Sequence, residues 1–356
     1  MPKSAPYWIQ RFICRTKKYS CILSALFLSN CLPYLYHVSK EQSSILLNRR
    51  EINSVLQDTS VDERTKKKLA LIQLAREYAV NKLKLNPDGG FEYYTKLDRE
   101  EIGWNVSACQ ALAFESYTWW FPFAGTVPYK GFFSKDLALK EEESLKRLGL
   151  DTRVRAFGGY STLGWFSDPV LSPQLDWEDT KLVGLVFHEM AHATSYLPGD
   201  SNLNESYASY VEEKGLERFY KEREGKDSPS LKEILNEKKE KETSIAILKK
   251  YAYELDKIYK SQSTDESKLQ KKKETIQSFK EEVIRLNIVP AKKIETFRKK
   301  EWNNEDFLGV LRYHSGNQTF ESLFTQANED FGIFHSKVKE LFSLSAEERK
   351  KLLNLP

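Results

Sequence analysis

The sequence predicts an α+β protein, mostly helical with a small sheet, that carries an inserted antiparallel helical hairpin. Three observations predict it. Apolar positions recur at helical spacing between Asp62 and Lys84, and a second helical stretch runs from Lys181 to Thr194. The segment 91–135 between them is dense in aromatics, Gly and Pro, which suits short strands and loops. Residues 221–300 change character: nearly half are Lys, Arg, Asp or Glu, crossed by two apolar stripes at heptad-like spacing.

Residues 1–30 hold Lys3, Arg11, Arg15, Lys17 and Lys18 and no acid, and an apolar run from Tyr19 to Leu28 follows the basic stretch. That order predicts a signal peptide. Leu28-Ser29-Asn30-Cys31 has the order of a lipobox, which makes Cys31 the lipid-bearing first residue of the mature chain. Asn30 stands where a small Gly or Ala is usual, so an uncleaved anchor is the alternative. Against the anchor, Tyr19–Tyr36 is barely long enough to span a bilayer and is interrupted by Asn30 and Pro33. Either way the chain is tethered to a membrane, in the cell envelope and facing the periplasm. Losing five cations with residues 1–30 takes the formal charge from +4 to −1. The mature chain is then near neutral, with no electrostatic case for nucleic acid. Cys14 and Cys21 leave with the signal, and Cys109 remains in an apolar context that suits a buried small hydrophobe.

Residues 31–60 read as a tether and first helix. From Asp62 to Lys84, Ile72, Ala75, Ala79 and Leu83 give an apolar stripe that Leu71, Leu74 and Tyr78 widen. Pro87-Asp88-Gly89-Gly90 marks a turn. Lys135–Leu148 is a helix ended by Gly149, and Val154–Leu163 reads as a strand. Residues 61–220 form the main domain, and a helical part, 301–356, completes it. In 221–300, Ile245, Leu248, Ala252, Leu255 and Tyr259 form one stripe and Leu269, Ile276, Phe279, Val283 and Leu286 the other, joined by the polar Ser261–Ser267. This hairpin reads as a solvated strut or lid wall, with a partner-binding arm as the alternative.

His188-Glu189-Met190-Ala191-His192 lies in the middle of the run from Lys181 to Thr194. Residues four apart share one face of a helix, so His188 and His192 can hold one zinc ion, with Glu189 as general base. Leu185, Val186, Phe187, Met190 and Ala191 are uncharged, as a water-excluding site needs. The alternative is an amphipathic helix with two satisfied histidines, yet the chain has only five histidines and two fall four apart. A catalytic zinc takes a third protein ligand. Glu205 follows a turn at Pro198-Gly199-Asp200 and can return beneath the histidines; alternatively it closes a capping box with Asn202. Glu212, two turns on, either orients a ligand histidine or is solvated, and Asp200 is the reserve ligand.

These residues resemble gluzincin metallopeptidases, in which H-E-x-x-H is followed by N-E on the next helix. The longer wording is similar to one family in particular, the predicted aminopeptidases found as bacterial envelope lipoproteins. Gly103–Val106, Thr118–Gly125, Val127–Phe133, Tyr160–Pro169, the His188–His192 motif and Gly199–Glu212 carry the resemblance, with a weaker match at Asn303-Asn304 and Tyr313. The resemblance implies a gluzincin-like zinc-peptidase domain, with His188, His192 and Glu205 as ligands to one zinc per chain and Glu189 as catalytic base. It also implies a substrate-binding edge strand at Tyr160, Ser161 and Thr162, and an oxyanion-stabilising Tyr313 with His314 as substitute. His37 and His335 have no partner spacing and receive no role.

A zinc peptidase acting on peptide substrates is therefore the expected function, with Glu115 one possible acid for a substrate's free amine. Two alternatives stand beside it: a non-catalytic envelope lipoprotein that binds a partner protein through the hairpin, and a zinc endopeptidase. Mass spectrometry of membrane-extracted protein is expected to show a chain starting at Cys31 with added acyl mass; an intact Met1 start would support the uncleaved anchor.

Overall fold

The main core of this chain is built around one apolar helix, and the order of elements explains why. The computed structural model describes residues 33–121, 125–159, 167–312 and 317–352. The described residues up to Asn48 belong to one unit, in which 33–47 is a helix, α1. Arg49–Pro356 form a second, mostly helical unit with small sheets. No helix among the described residues is long and apolar enough to cross a membrane.

The second unit begins with β1 (Arg50–Glu51), α2 (Ile52–Gln57) and α3 (Glu63–Asn81). Asp62 caps α3 by accepting from the Thr65 amide, and Leu69, Ile72, Ala75 and Ala79 bury one face. Leu74 does not widen that face. It is 39% exposed, because the stripe is one residue narrower than the sequence suggests. Next come β2 (Tyr93–Thr95), β3 (Gly103–Cys109), β4 (Trp119–Phe121), β5 (Gly125–Val127) and β6 (Tyr129–Phe132), as the aromatic, Gly- and Pro-rich composition predicts. Helix α4 (Lys135–Arg147) ends before Gly149, and β7 (Asp151–Phe157) and β8 (Val170–Leu171) follow. Strand β7 starts three residues before Val154, because Asp151 and Thr152 still pair with Cys109 and Ala108. The far end of the expected strand, through Leu163, lies outside the described residues, as do Tyr160, Ser161 and Thr162.

Strands β6, β3 and β7 make an antiparallel sheet in that order. A second sheet runs β1-β2-β8, and β4 pairs with β5. Helix α5 (Asp179–Thr194) is the centre of the main core. Leu182, Val183, Val186, Phe187, Met190 and Ala191 are fully buried, so it is apolar nearly all round. It packs on α3 and on α6 (Ser201–Glu224), and the core continues into α11 (Asn317–Gln326) and α12 (Phe331–Ser343). Burying this many large side chains at about 25 cal/mol per Å² is what holds a helix with few surface charges in place.

Helices α7 (Pro229–Tyr259) and α8 (Asp265–Arg285) are joined by a short turn and pack on one another through a separate apolar cluster. The buried seam is Ile247, Tyr251, Leu255 and Tyr259 against Ile276, Phe279 and Val283. Leu269 and Leu286, expected at its ends, are 42% and 45% exposed. Lys272 takes the core position near Leu269 instead, bonding to Asp151 at 2.5 Å and to the Ala111 carbonyl at 2.8 Å. The cluster also takes in Phe307 of α10 (Asn304–Arg312) and the partly buried Leu112, Phe114 and Trp302. The pair is thus seated on the sheet region rather than standing free. Asn304, fully buried, is the fastening: its side chain donates to Gln110 and Ala111 carbonyls and accepts from the Tyr259 hydroxyl at 2.6 Å. Beside it, Arg153 pairs with Asp306, and Ser107 donates to Glu305. Short helices α9 (Ile294–Lys299) and α13 (Ala346–Leu352) complete the fold.

His335 on α12 has a structural role that its isolation in sequence did not signal. Its Nε2 lies 2.8 Å from the Leu83 carbonyl, which can only accept, so Nε2 carries the proton and Nδ1 accepts from the Tyr207 hydroxyl at 2.9 Å. Burial pushes its pKa down to about 4, helped by Lys339, while the Leu83 carbonyl and Asp330 oppose the shift. The folded value lies below the ordinary 6.5 of the unfolded chain. Between those values the unfolded chain binds a proton that the folded chain refuses. The contribution of His335 is therefore complete above about pH 6.5 and is lost as pH falls through about 4, with a slope of at most about 1.4 kcal/mol per pH unit. Urea titrations from pH 7 to pH 4 are expected to show a shallower acid decline in His335→Gln than in the native chain; parallel declines would refute this.

Candidate metal centre

Helix α5 places His188 and His192 one turn apart, as their spacing requires. Their rings stand nearly perpendicular, with centroids 4.9 Å apart. The turn from Ser195 to Asp200 then reverses the chain into α6. Gly199 takes a positive φ of 84°, which a side chain would disfavour. Asn204, almost wholly buried, locks this turn from the first coil of α6: its amide oxygen accepts from the Leu197 N–H and its NH₂ donates to the Leu197 carbonyl, both at 2.8 Å. Asn204 therefore fixes where its neighbour Glu205 emerges.

Glu205 reaches back to both histidines. Its Oε2 lies 3.4 Å from His188 Nε2 and its Oε1 3.7 Å from His192 Nε2. One ligand atom from each of the three residues lies within 4.8 Å of the other two. The capping-box alternative fails, because Asp200 caps α6 by accepting from the Leu203 amide at 3.0 Å. The same bond gives the reserve ligand Asp200 a different task.

Glu212 holds the outer nitrogen of His188: its Oε2 lies 3.0 Å from Nδ1. Glu212, expected either to orient a ligand histidine or to be solvated, thus meets His188 while its side chain stays 35% exposed. A carboxylate accepts, so Nδ1 carries a proton, and Nε2, facing Glu205 and His192, is the nitrogen left to hold an ion in place of its own proton. Gly184, one turn before His188, makes this possible; a Cβ there would come within 2.9 Å of Glu212 Oε1 and 3.3 Å of Leu216.

The electrostatics favour a cation. Burial works against a charge on His188, yet bonds to Glu205 and Glu212, with the charge of Glu189 added, hold its pKa well above the usual histidine value. Burial pushes His192 down to about 4, with the charge on His188 adding to it. Glu205 is buried too, but its bond to His188 and the two imidazole charges keep its pKa below the usual carboxylate range. Two imidazole nitrogens and one carboxylate, buried on one side and surrounded by further acid, fit a small divalent metal of borderline softness. Ligands of these types also release protons when such an ion binds.

Other predicted residues are distributed differently. Glu189 lies on α5 between the histidines, with the chain at Gly159 pressed against its carboxylate. Glu115 has an exposed side chain, and its backbone carbonyl accepts from Gln110. Cys31, Tyr160, Ser161, Thr162, Tyr313 and His314 lie outside the described residues. Tyr196, which the sequence reading did not single out, is half-buried near Glu205; burial and then the charge of Glu205 raise its pKa, so the phenol stays protonated. Its position four residues after His192 was the available signal. The loop at Asn86 braces the end of α5, with its amide donating to Thr194 Oγ1 at 2.9 Å and its side chain to the Ala193 carbonyl.

The model of the family described as "Putative aminopeptidase" matches residues 33–353 of the chain. No curated protein and no solved structure matches it.

Glu212→Ala is expected to weaken metal binding on the order of 10- to 100-fold while leaving the far-ultraviolet circular dichroism spectrum unchanged, because it frees His188 to turn. A competition titration against a chromophoric chelator measures this, and unchanged affinity would return Glu212 to the role of a surface acid.

Proposed function

We propose, from the premise that this chain belongs to the aminopeptidase family, that it is a zinc-dependent peptidase in which Glu189 is the general base. One observation carries the reading: Glu205 of α6 converges with His188 and His192 of α5, the helix that also bears Glu189, with one ligand atom of each within 4.8 Å of the others. His188 and His192 would hold the ion through Nε2 and Glu205 through its carboxylate, and Glu212 keeps His188 turned toward it. When bound, zinc supplies Lewis acidity, polarising a peptide carbonyl and acidifying water near neutral pH.

The remaining work belongs to the protein's own groups. Glu189 accepts a proton from the attacking water at its carboxylate and returns it to the departing amine, so a single residue serves as base and then acid. The buried Val186, Phe187, Met190 and Ala191 on the same helix exclude bulk water from behind the site, which strengthens each charge interaction in it. Tyr196 offers a neutral hydroxyl beside Glu205 that could orient a substrate carbonyl. The family's name supports removal of N-terminal residues as the finer specificity, and the N-terminal basic and apolar segments support action at the envelope membrane.

Glu189→Gln is expected to keep the fold and the metal but lose hydrolysis of a peptide library by at least about 100-fold, since proton transfer and water orientation go together. Glu205→Ala is expected to lose metal, because it removes a direct ligand. Chelator treatment should abolish turnover of the native chain, and added zinc should restore it. Full turnover in Glu189→Gln, or in the chelated chain, would end the peptidase reading. A library profile cleaved only at first residues separates exopeptidase from endopeptidase action.

A further inference from the structure

Strand β7 ends at Phe157, and two residues later the chain lies against the metal helix α5. Gly158 and Gly159 follow, and each stands where a side chain has no room. A Cβ on Gly159 would lie 2.4 Å from Oε1 of Glu189, 3.5 Å from its Cδ and 3.9 Å from Leu185 Cδ1. Non-bonded heavy atoms settle at about 3.5–4.0 Å, so that carboxylate fills the volume any other residue would need. Gly158 meets a different neighbour. Its Cβ would lie 2.3 Å from two ring carbons of Trp177, an indole packed against the main core. The two contacts differ in what would yield. An indole wedged on the core cannot move without loosening the fold, whereas a carboxylate at the end of a flexible side chain can swing away.

We propose that Gly159 is a positioning residue for Glu189: lacking a side chain, it leaves the carboxylate its seat, and its backbone closes one side of that seat. The inference rests on the reading of Glu189 as general base. On that reading, a substitution at 159 moves the base without touching His188, His192 or Glu205. The effect on activity therefore falls on the chemical step rather than on the metal, with a small loss of stability from the displaced carboxylate.

Two cycles on the full chain test it. In the first, Gly159→Ala is made in the native background and in Glu189→Ala, and thermal unfolding is followed. Gly159→Ala is expected to lower Tm by about 1 °C or more relative to its effect in Glu189→Ala, where its obstacle has been removed. Equal shifts in the two backgrounds would overturn the inference. Gly158→Ala is the control, expected to lower Tm alike in both through Trp177.

In the second cycle, Gly159→Ala is expected to lower kcat on the order of 100-fold, with KM and zinc affinity held within about twofold. Combining it with Glu189→Asp, whose shorter side chain vacates the space, is expected to cost less than the product of the two single losses. A multiplicative loss, or zinc affinity falling in step with kcat, would overturn the proposal. Equal hydrolysis by the native chain and Glu189→Gln would instead remove the peptidase reading and leave the Tm coupling standing, so the two failures are distinguishable.

Discussion

Glu205 and His188 come from different helices, and their meeting depends on how closely α5 packs against α6. Gly184 sets that closeness on one side, since a methyl group there would press on Glu212 and Leu216. Asn204 sets it on the other by tying the connecting turn through two bonds to Leu197. The apolar surface of α5 supplies the force, because Val186, Phe187, Met190 and Ala191 have nowhere else to be buried. The main core answers to this pairing: α3 covers α5, and α12 anchors α6 through His335 and Tyr207.

The acidic residues around the histidines do separate jobs, and position on the helix decides which. Glu205 faces the Nε2 atoms of both rings, so with them it forms a group that could hold a metal ion. Glu212, two turns further along the same face, meets the opposite nitrogen of His188 and fixes its tautomer. Glu189 is next to His188 in sequence but points elsewhere, toward the backbone at Gly159. Three carboxylates of one chemical type thus meet three different neighbours: the two Nε2 atoms, Nδ1 of His188 and the backbone at Gly159. Asp200, the fourth acid in this stretch, caps α6 by accepting from the Leu203 amide.

The charged segment 221–300 follows a parallel logic away from the site. Its seam was legible as apolar spacing, but the register was not. Lys272 occupies a buried position that the apolar pattern passed over, because Asp151 at the start of β7 and the Ala111 carbonyl satisfy its ammonium. Asn304 shows the same thing: a polar side chain, fully buried, whose bonds to Tyr259, Gln110 and Ala111 tie α7, α10 and the chain after β3 together. Buried polar groups of this kind are invisible to periodicity, since what makes them tolerable is a partner far away in sequence.

The sequence by itself determined the local elements and the pair of imidazoles. Four-residue spacing on a helix is a property of the helix alone, so His188 and His192 were bound to face one way wherever α5 came to rest. The turn at Pro198-Gly199-Asp200 and the helix that follows were equally local. Only the tertiary structure decided among the acids. Asn202 with Glu205 satisfied a capping-box pattern as well as Glu205 satisfied a ligand pattern, and the choice fell to Asp200, whose side chain reached the Leu203 amide and left Glu205 to turn inward. Likewise Glu212, Gly159 and His335 acquired meaning only from neighbours on other elements. Spacing along a chain fixes which side chains share a face; which face meets which is set by the packing of whole helices, and no short stretch of sequence contains that.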